Sequence, residues 1–178
     1  MNVLYPFPAS FLDYPDGDNI SILVFVMGCD FHCIGCHNPA FQNPAYETGT
    51  LDLDAAELCE EIVVSCMRNR TNKVVLTGGD PLSGGNRETT KEVVRRLGDR
   101  YDIAIYTGNN IDYVRSLNIR GFKFVKCGQF VRKLEQPSEK TDDYMTFASK
   151  NQQLYDSQLQ LLTSDGKYVF QGSPTHVL

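Results

Sequence analysis

Short apolar runs alternate along the chain with segments in which apolar residues recur every three or four positions. The run Ile20-Ser21-Ile22-Leu23-Val24-Phe25-Val26-Met27 has the length and β-branched content of a buried strand. Asp52 or Asp54 is placed to cap a helix reaching about Arg68. On that helix Leu58, Ile62 and Cys66 share a face, with Cys59 and Val63 on the neighbouring turn. Lys73 to Thr77 predicts a second strand, stopped by Gly78-Gly79-Asp80-Pro81. A helix follows from about Arg87 to Gly98, turning Val93, Val94 and Leu97 inward. Asp102 to Thr107 predicts a third strand, Ile111 to Leu117 a short helix, and Phe122 to Val125 a fourth strand leading into Cys127-Gly128. Residues 37 to 50, rich in Asn, Pro, Gly and Thr, form a loop. Near the end, Gln158 to Leu162 and Lys167 to Phe170 flank Ser164-Asp165-Gly166, a hairpin turn.

Strand, helix, strand, helix at this rhythm predicts an α/β fold with parallel strands and right-handed crossovers. Each strand ends in Gly or Cys, and in such sheets ligands bind at the C-terminal edge. The 178 residues suit a single domain, 1–178, with neither linker nor internal repeat.

Composition narrows the chemistry. Seventeen basic residues against 22 acidic ones give a net charge of −5. Arg68, Arg70, Arg95 and Arg96 are interspersed with acids, the pattern of solvated helix surfaces, which argues against direct binding of nucleic acid. No basic region followed by an apolar run opens the chain, and the run from Ile20 to Met27 is too short to span a bilayer. The expected location is the cytoplasm. In that reducing compartment the six cysteines point to metal or redox use rather than to disulfides.

Cys29, Cys33 and Cys36 follow the first strand with C-x3-C-x2-C spacing. Three thiolates on one short loop suit an iron–sulfur cluster with one iron left free of protein ligands. Three other readings remain at this point: a zinc site completed by His32 or His37, a disulfide with a spare thiol, and a chance spacing. Cys59 and Cys66 read as inert core residues, and Cys127 as structural at a strand end. His176 reads as a solvated side chain. Gly78 and Gly79 present bare backbone after a strand. Their carbonyls are positioned to accept from a ligand ammonium, with Asp80 in support.

Both motifs, in this order and on these strands, resemble the radical S-adenosylmethionine (SAM) superfamily. Leu76 to Leu82, Cys36-His37-Asn38, Tyr106-Thr107-Gly108, Gly128-Gln129-Phe130 and Ser149-Lys150-Asn151-Gln152 extend the resemblance to activators of anaerobic ribonucleotide reductase. Together with the first strand and its loop they cover most of residues 20 to 152. The resemblance implies a partial (β/α) barrel of mainly parallel strands. It implies a 4Fe–4S cluster on Cys29, Cys33 and Cys36 that passes one electron to SAM. The resulting 5′-deoxyadenosyl radical would take a hydrogen from a glycine of the reductase. SAM contacts are implied at Gly35, Cys36 and His37, at Gly78, Gly79 and Asp80 for the methionine end, and more loosely at Thr107 and Gly108. A flavodoxin is the implied electron donor. The chain departs from those activators where Asp13-Tyr14-Pro15-Asp16-Gly17 replaces N-G-P-G, where His37 replaces Tyr, and where Cys127 replaces Asp. So short a chain also leaves an open barrel side for a protein loop.

Overall fold

The apolar run after Ile20 becomes the strand around which the sheet is assembled. The computed structural model describes residues 1–16 and 20–170; His176 and Gly17 lie outside them. In chain order its elements are β1 (Asn2–Leu4), β2 (Ala9–Ser10), β3 (Ser21–Val26), β4 (Thr50–Asp52), α1 (Ala55–Asn69), β5 (Lys73–Gly78) and α2 (Arg87–Leu97). There follow β6 (Asp102–Thr107), α3 (Ile111–Ser116), β7 (Phe124–Cys127), β8 (Tyr144–Thr146), β9 (Gln153–Asp156), β10 (Thr163–Ser164) and β11 (Lys167–Val169).

β3, β5, β6 and β7 lie side by side and parallel, with Val24 opposite Leu76, Val75 opposite Ala104 and Ile105 opposite Val125. Antiparallel strands flank this block. β1 and β2 pair with β3, β4 pairs with β1, and β9 pairs with β7. The sheet runs β4-β1-β3-β5-β6-β7-β9, so the fold is α/β with a mixed sheet whose central strands are parallel.

Successive side chains of a strand point to opposite faces, and both faces here are covered. Ile22, Val24, Leu76, Ile103 and Val125 pack with Leu58 and Ile62 of α1, Val93 and Val94 of α2, and Val114 of α3. Leu23, Val75, Ala104, Phe124 and Leu154 face the other way. There a small second sheet, ordered β10-β11-β8, covers them with Met145, Phe147, Tyr168 and Phe170. The expected open side is therefore largely occupied by the C-terminal part of the chain. Among the described residues no helix is long and apolar enough to cross a membrane.

Of the two possible caps for α1, Asp54 is used. Its carboxylate accepts from the Ala56 and Glu57 amides while Glu57 accepts from the Asp54 amide, a reciprocal capping box. Two expectations need correction. β7 covers Phe124–Cys127 rather than Phe122 to Val125, because the chain turns at Gly121 (φ +102) and its register with β6 starts only at Phe124. Gln158 to Leu162 is not a strand. Leu159 takes a positive φ of 60°, and the Asp156 carboxylate accepts from the amides of Gln158 and Gln160. The hairpin turn stands: Asp165 and Gly166 both have positive φ and join β10 to β11.

Leu154 is fully buried where β9 meets the small sheet. Leu154→Ala is expected to destabilise the protein by about 2–5 kcal/mol. Chemical denaturation would read this as a lower midpoint at unchanged slope.

Candidate functional site

The site grows from two loops pressed backbone to backbone. After β3, Gly28 turns with φ +95, and its amide donates to the Phe41 carbonyl at 2.8 Å. The Cys29 amide donates to the Gln42 carbonyl at 3.2 Å, so the cysteine loop is seated on a 3-10 turn at Pro39–Gln42. After β5, the Gly79 amide donates to the Val26 carbonyl at 2.7 Å and the Asp80 amide to the Gly28 carbonyl at 2.8 Å. No side chain fits between these loops. A Cβ on Gly78 would lie 2.7 Å from the Val26 nitrogen, and one on Gly79 would lie 2.4 Å from the Gly28 oxygen.

A cavity of about 410 Å³ lies at the C-terminal ends of the parallel strands. Cys29, Cys33 and Cys36 all border it, as do Gly78, Gly79 and His37. Asp80, Thr107 and Gly108 border it too. Gly35 does not. It takes φ +83 while the loop passes Phe130, whose ring would lie 3.2 Å from a Cβ there. Gly35 thus shapes the loop rather than the cavity wall.

Asp80 is buried, and its carboxylate is satisfied from within the protein. It accepts from the Leu82 amide at 2.7 Å, the Gly108 amide at 2.8 Å and the Thr107 hydroxyl at 2.9 Å. Burial pushes its carboxyl above the usual range, and these hydrogen bonds pull it back. The residue ties the end of β5 to the end of β6, with Thr107 and Gly108 as its partners.

The cysteines separate into two groups. Cys59, Cys66 and Cys127 are buried in the core on the helix side, where burial pushes Cys66 and Cys127 up to about 12. Cys29, Cys33 and Cys36 are only partly buried, and all six are free thiols. Burial pushes the Cys29 thiol up to about 11, against the pull of a hydrogen bond from the Phe31 amide. Iron ligation would deprotonate it, because a coordinating thiol binds as thiolate. Among the described residues no three His, Cys, Asp or Glu side chains are placed to hold one metal ion. A zinc site needs its ligands gathered at about 2.0–2.3 Å from a single point. Three cysteine thiols bordering one cavity are the donor type that holds iron–sulfur clusters.

Asn86, Phe31 and Lys126 belong to the site without a motif signal, and the S-x-N-Q segment has a structural role that its motif did not reveal. Asn86, buried at the start of α2, donates to the carbonyls of Met27 (2.9 Å) and Asp80 (3.0 Å), clamping the two loops together. Phe31 folds from the cysteine loop onto Gly108, where a Cβ would lie 2.6 Å from its ring. The S-x-N-Q segment is a clasp. The side-chain amides of Asn151 and Gln152 donate to the carbonyls of Gln129 (2.9 Å) and Gly128 (3.3 Å). Ser149 accepts from the Val131 amide at 3.2 Å. Thus held, Phe130 packs against His37 at 5.4 Å between ring centroids. Lys126 also borders the cavity.

A pocket lined by three thiols at the strand ends of an α/β sheet offers the ligands of an iron–sulfur protein. The family described as "4Fe-4S single cluster domain" matches residues 16–155, and the chain belongs to it. An iron–sulfur cluster is accordingly its cofactor. The chain is also similar to the anaerobic ribonucleoside-triphosphate reductase-activating protein of Enterobacteria phage T4. The two are 28% identical over 110 residues, covering 60% of this chain and 68% of that protein.

The contact between the loops gives a direct test. Gly79→Ala is expected to lower the iron and acid-labile sulfide retained per chain after anaerobic reconstitution. Gly85→Ala, whose added Cβ meets nothing within 4 Å, should leave both unchanged.

Proposed function

We propose that this chain is a radical SAM activase that cleaves SAM reductively and places a glycyl radical on an anaerobic ribonucleotide reductase. The observation that carries the reading is the convergence of three thiols and the bare backbone of Gly78 and Gly79 on one cavity. The phage T4 relative's name supports the choice of partner.

On this reading Cys29, Cys33 and Cys36 hold the 4Fe–4S cluster and leave one iron for SAM. Gly78 and Gly79 offer carbonyls to the methionine end. Asp80, Thr107 and Gly108 keep that backbone in place, while His37 and Phe130 form the wall beside Cys36. Gly35 lets the loop turn there. When bound, the cluster and SAM together supply a one-electron cleavage of a carbon–sulfur bond. The protein residues hold the cofactor, bury it and aim it.

The parallel block β3-β5-β6-β7 is then the retained part of a partial (β/α) barrel, and residues 1–178 form one domain. A cytoplasmic setting keeps the thiols reduced, and a flavodoxin is the electron donor we favour.

Reduced, reconstituted protein mixed with SAM and the purified reductase is expected to give a glycyl-radical EPR signal and to release 5′-deoxyadenosine. Cys33→Ala should lose the cluster and this release together. Zinc at one per chain without sulfide, or no 5′-deoxyadenosine from the intact protein, would refute the reading.

A further inference from the structure

Lys126 lies in the wall of the cavity but in none of the motifs described above. On β7 it follows Val125, which faces the helices, and so it points to the opposite face beside Tyr106. Its Nζ is 4.6 Å from the centre of the Tyr106 ring and 5.6 Å from that of Phe147. These rings attract the cation without accepting its N–H groups in ordinary hydrogen bonds. Among the described residues no carboxylate, carbonyl or hydroxyl accepts a hydrogen bond from it, and it rests against the two rings. Burial pushes its ammonium down to about 8 against the pull of Asp80 and Asp13. Lys126 is partly buried, and its ammonium brings three donors to the cavity wall. An apolar side chain would pack between these rings at lower cost. Water in the cavity can serve these donors, and a ligand that offers oxygen acceptors there would replace it.

The position of Lys126 narrows what that ligand is. The cysteines and Gly78-Gly79 form the wall for the cofactor. Lys126 belongs to the wall shared with the small sheet, where Met145, Thr146 and Phe147 border the same space. A group held there lies between cofactor and small sheet, the place of a second ligand. A peptide that presents a glycine for hydrogen removal has no side chain at the reacting residue, so it must be gripped by its backbone.

We propose that Lys126 is a positioning residue for the protein substrate, its ammonium donating to a backbone carbonyl of the peptide segment that enters the cavity. The proposal rests on the activase reading above.

Lys126→Met keeps the length and apolar stem and removes the donors; Lys126→Arg keeps donors. The measured quantities are glycyl radical formed per 5′-deoxyadenosine released, and the affinity of the cluster-bound chain for the purified reductase by anaerobic calorimetry. Lys126→Met is expected to lower both about tenfold or more, the scale of one hydrogen bond from a charged donor. Lys126→Arg should stay within about threefold of the parent in both, and keeps the test open if the Met variant fails to fold. Unchanged coupling and reductase affinity in Lys126→Met would overturn the proposal. So would a fall in SAM affinity as large as the fall in reductase affinity, since the acceptor would then be the carboxylate of SAM. Failure of the parent protein to release 5′-deoxyadenosine at all would instead overturn the functional reading, and this proposal with it.

Discussion

Two amide-to-carbonyl hydrogen bonds, from Gly79 to Val26 and from Asp80 to Gly28, set the distance between the cysteine loop and the glycine loop. The rest of the site is built outward from that contact. It demands bare backbone at Gly78 and Gly79, because a Cβ at either would run into the neighbouring chain. It demands satisfied polar groups in a place closed to water, which Asn86 and Asp80 provide from opposite sides. A buried carboxylate is unfavourable unless surrounded by donors, and Asp80 has the donors of three residues. The glycines thus serve two ends at once. They admit the close packing of the loops and place bare backbone at the cavity wall.

The two faces of the sheet divide the labour. The helix side is an apolar core in which Cys59, Cys66 and Cys127 are packing groups. The other face carries the small sheet over its lower part and the cavity at its upper edge. Lys126 marks the border between these zones, on a strand whose neighbouring residues are apolar.

Much of this was legible beforehand, for physical reasons. β3, β5 and β6 are buried on both faces, and such strands read as continuous apolar runs. α1 and α2 carry the three-to-four spacing of one buried face. β1, β2 and β4, with β8 and β10, have only two or three residues each, too few for alternation to show. β1 and β2 form on the edge of the longer β3, while β4, β8 and β10 pair with strands as short as three residues. In the site, the cysteines and glycines were legible by spacing and by their place after strands. Asn86 was not, since one polar residue at a helix start reads as a cap. Lys126 was hidden for the opposite reason: a single lysine in Phe124-Val125-Lys126-Cys127 reads as a solvated charge on a strand. Gly35 and Asp80 were identified by motif, but Gly35 lies off the cavity wall, and the Asp80 carboxylate, though it borders the cavity, is engaged by its protein neighbours.

The clasp formed by Ser149, Asn151 and Gln152 has a temporal consequence. The cysteine loop emerges from the ribosome early, whereas the residues that secure Gln129 and Phe130 beside it emerge more than a hundred positions later. A nascent chain halted before Ser149 exposes its three thiols without their finished enclosure. The enclosure of the cysteine loop is therefore a late event of synthesis, completed only when the chain beyond Ser149 is available to fold back.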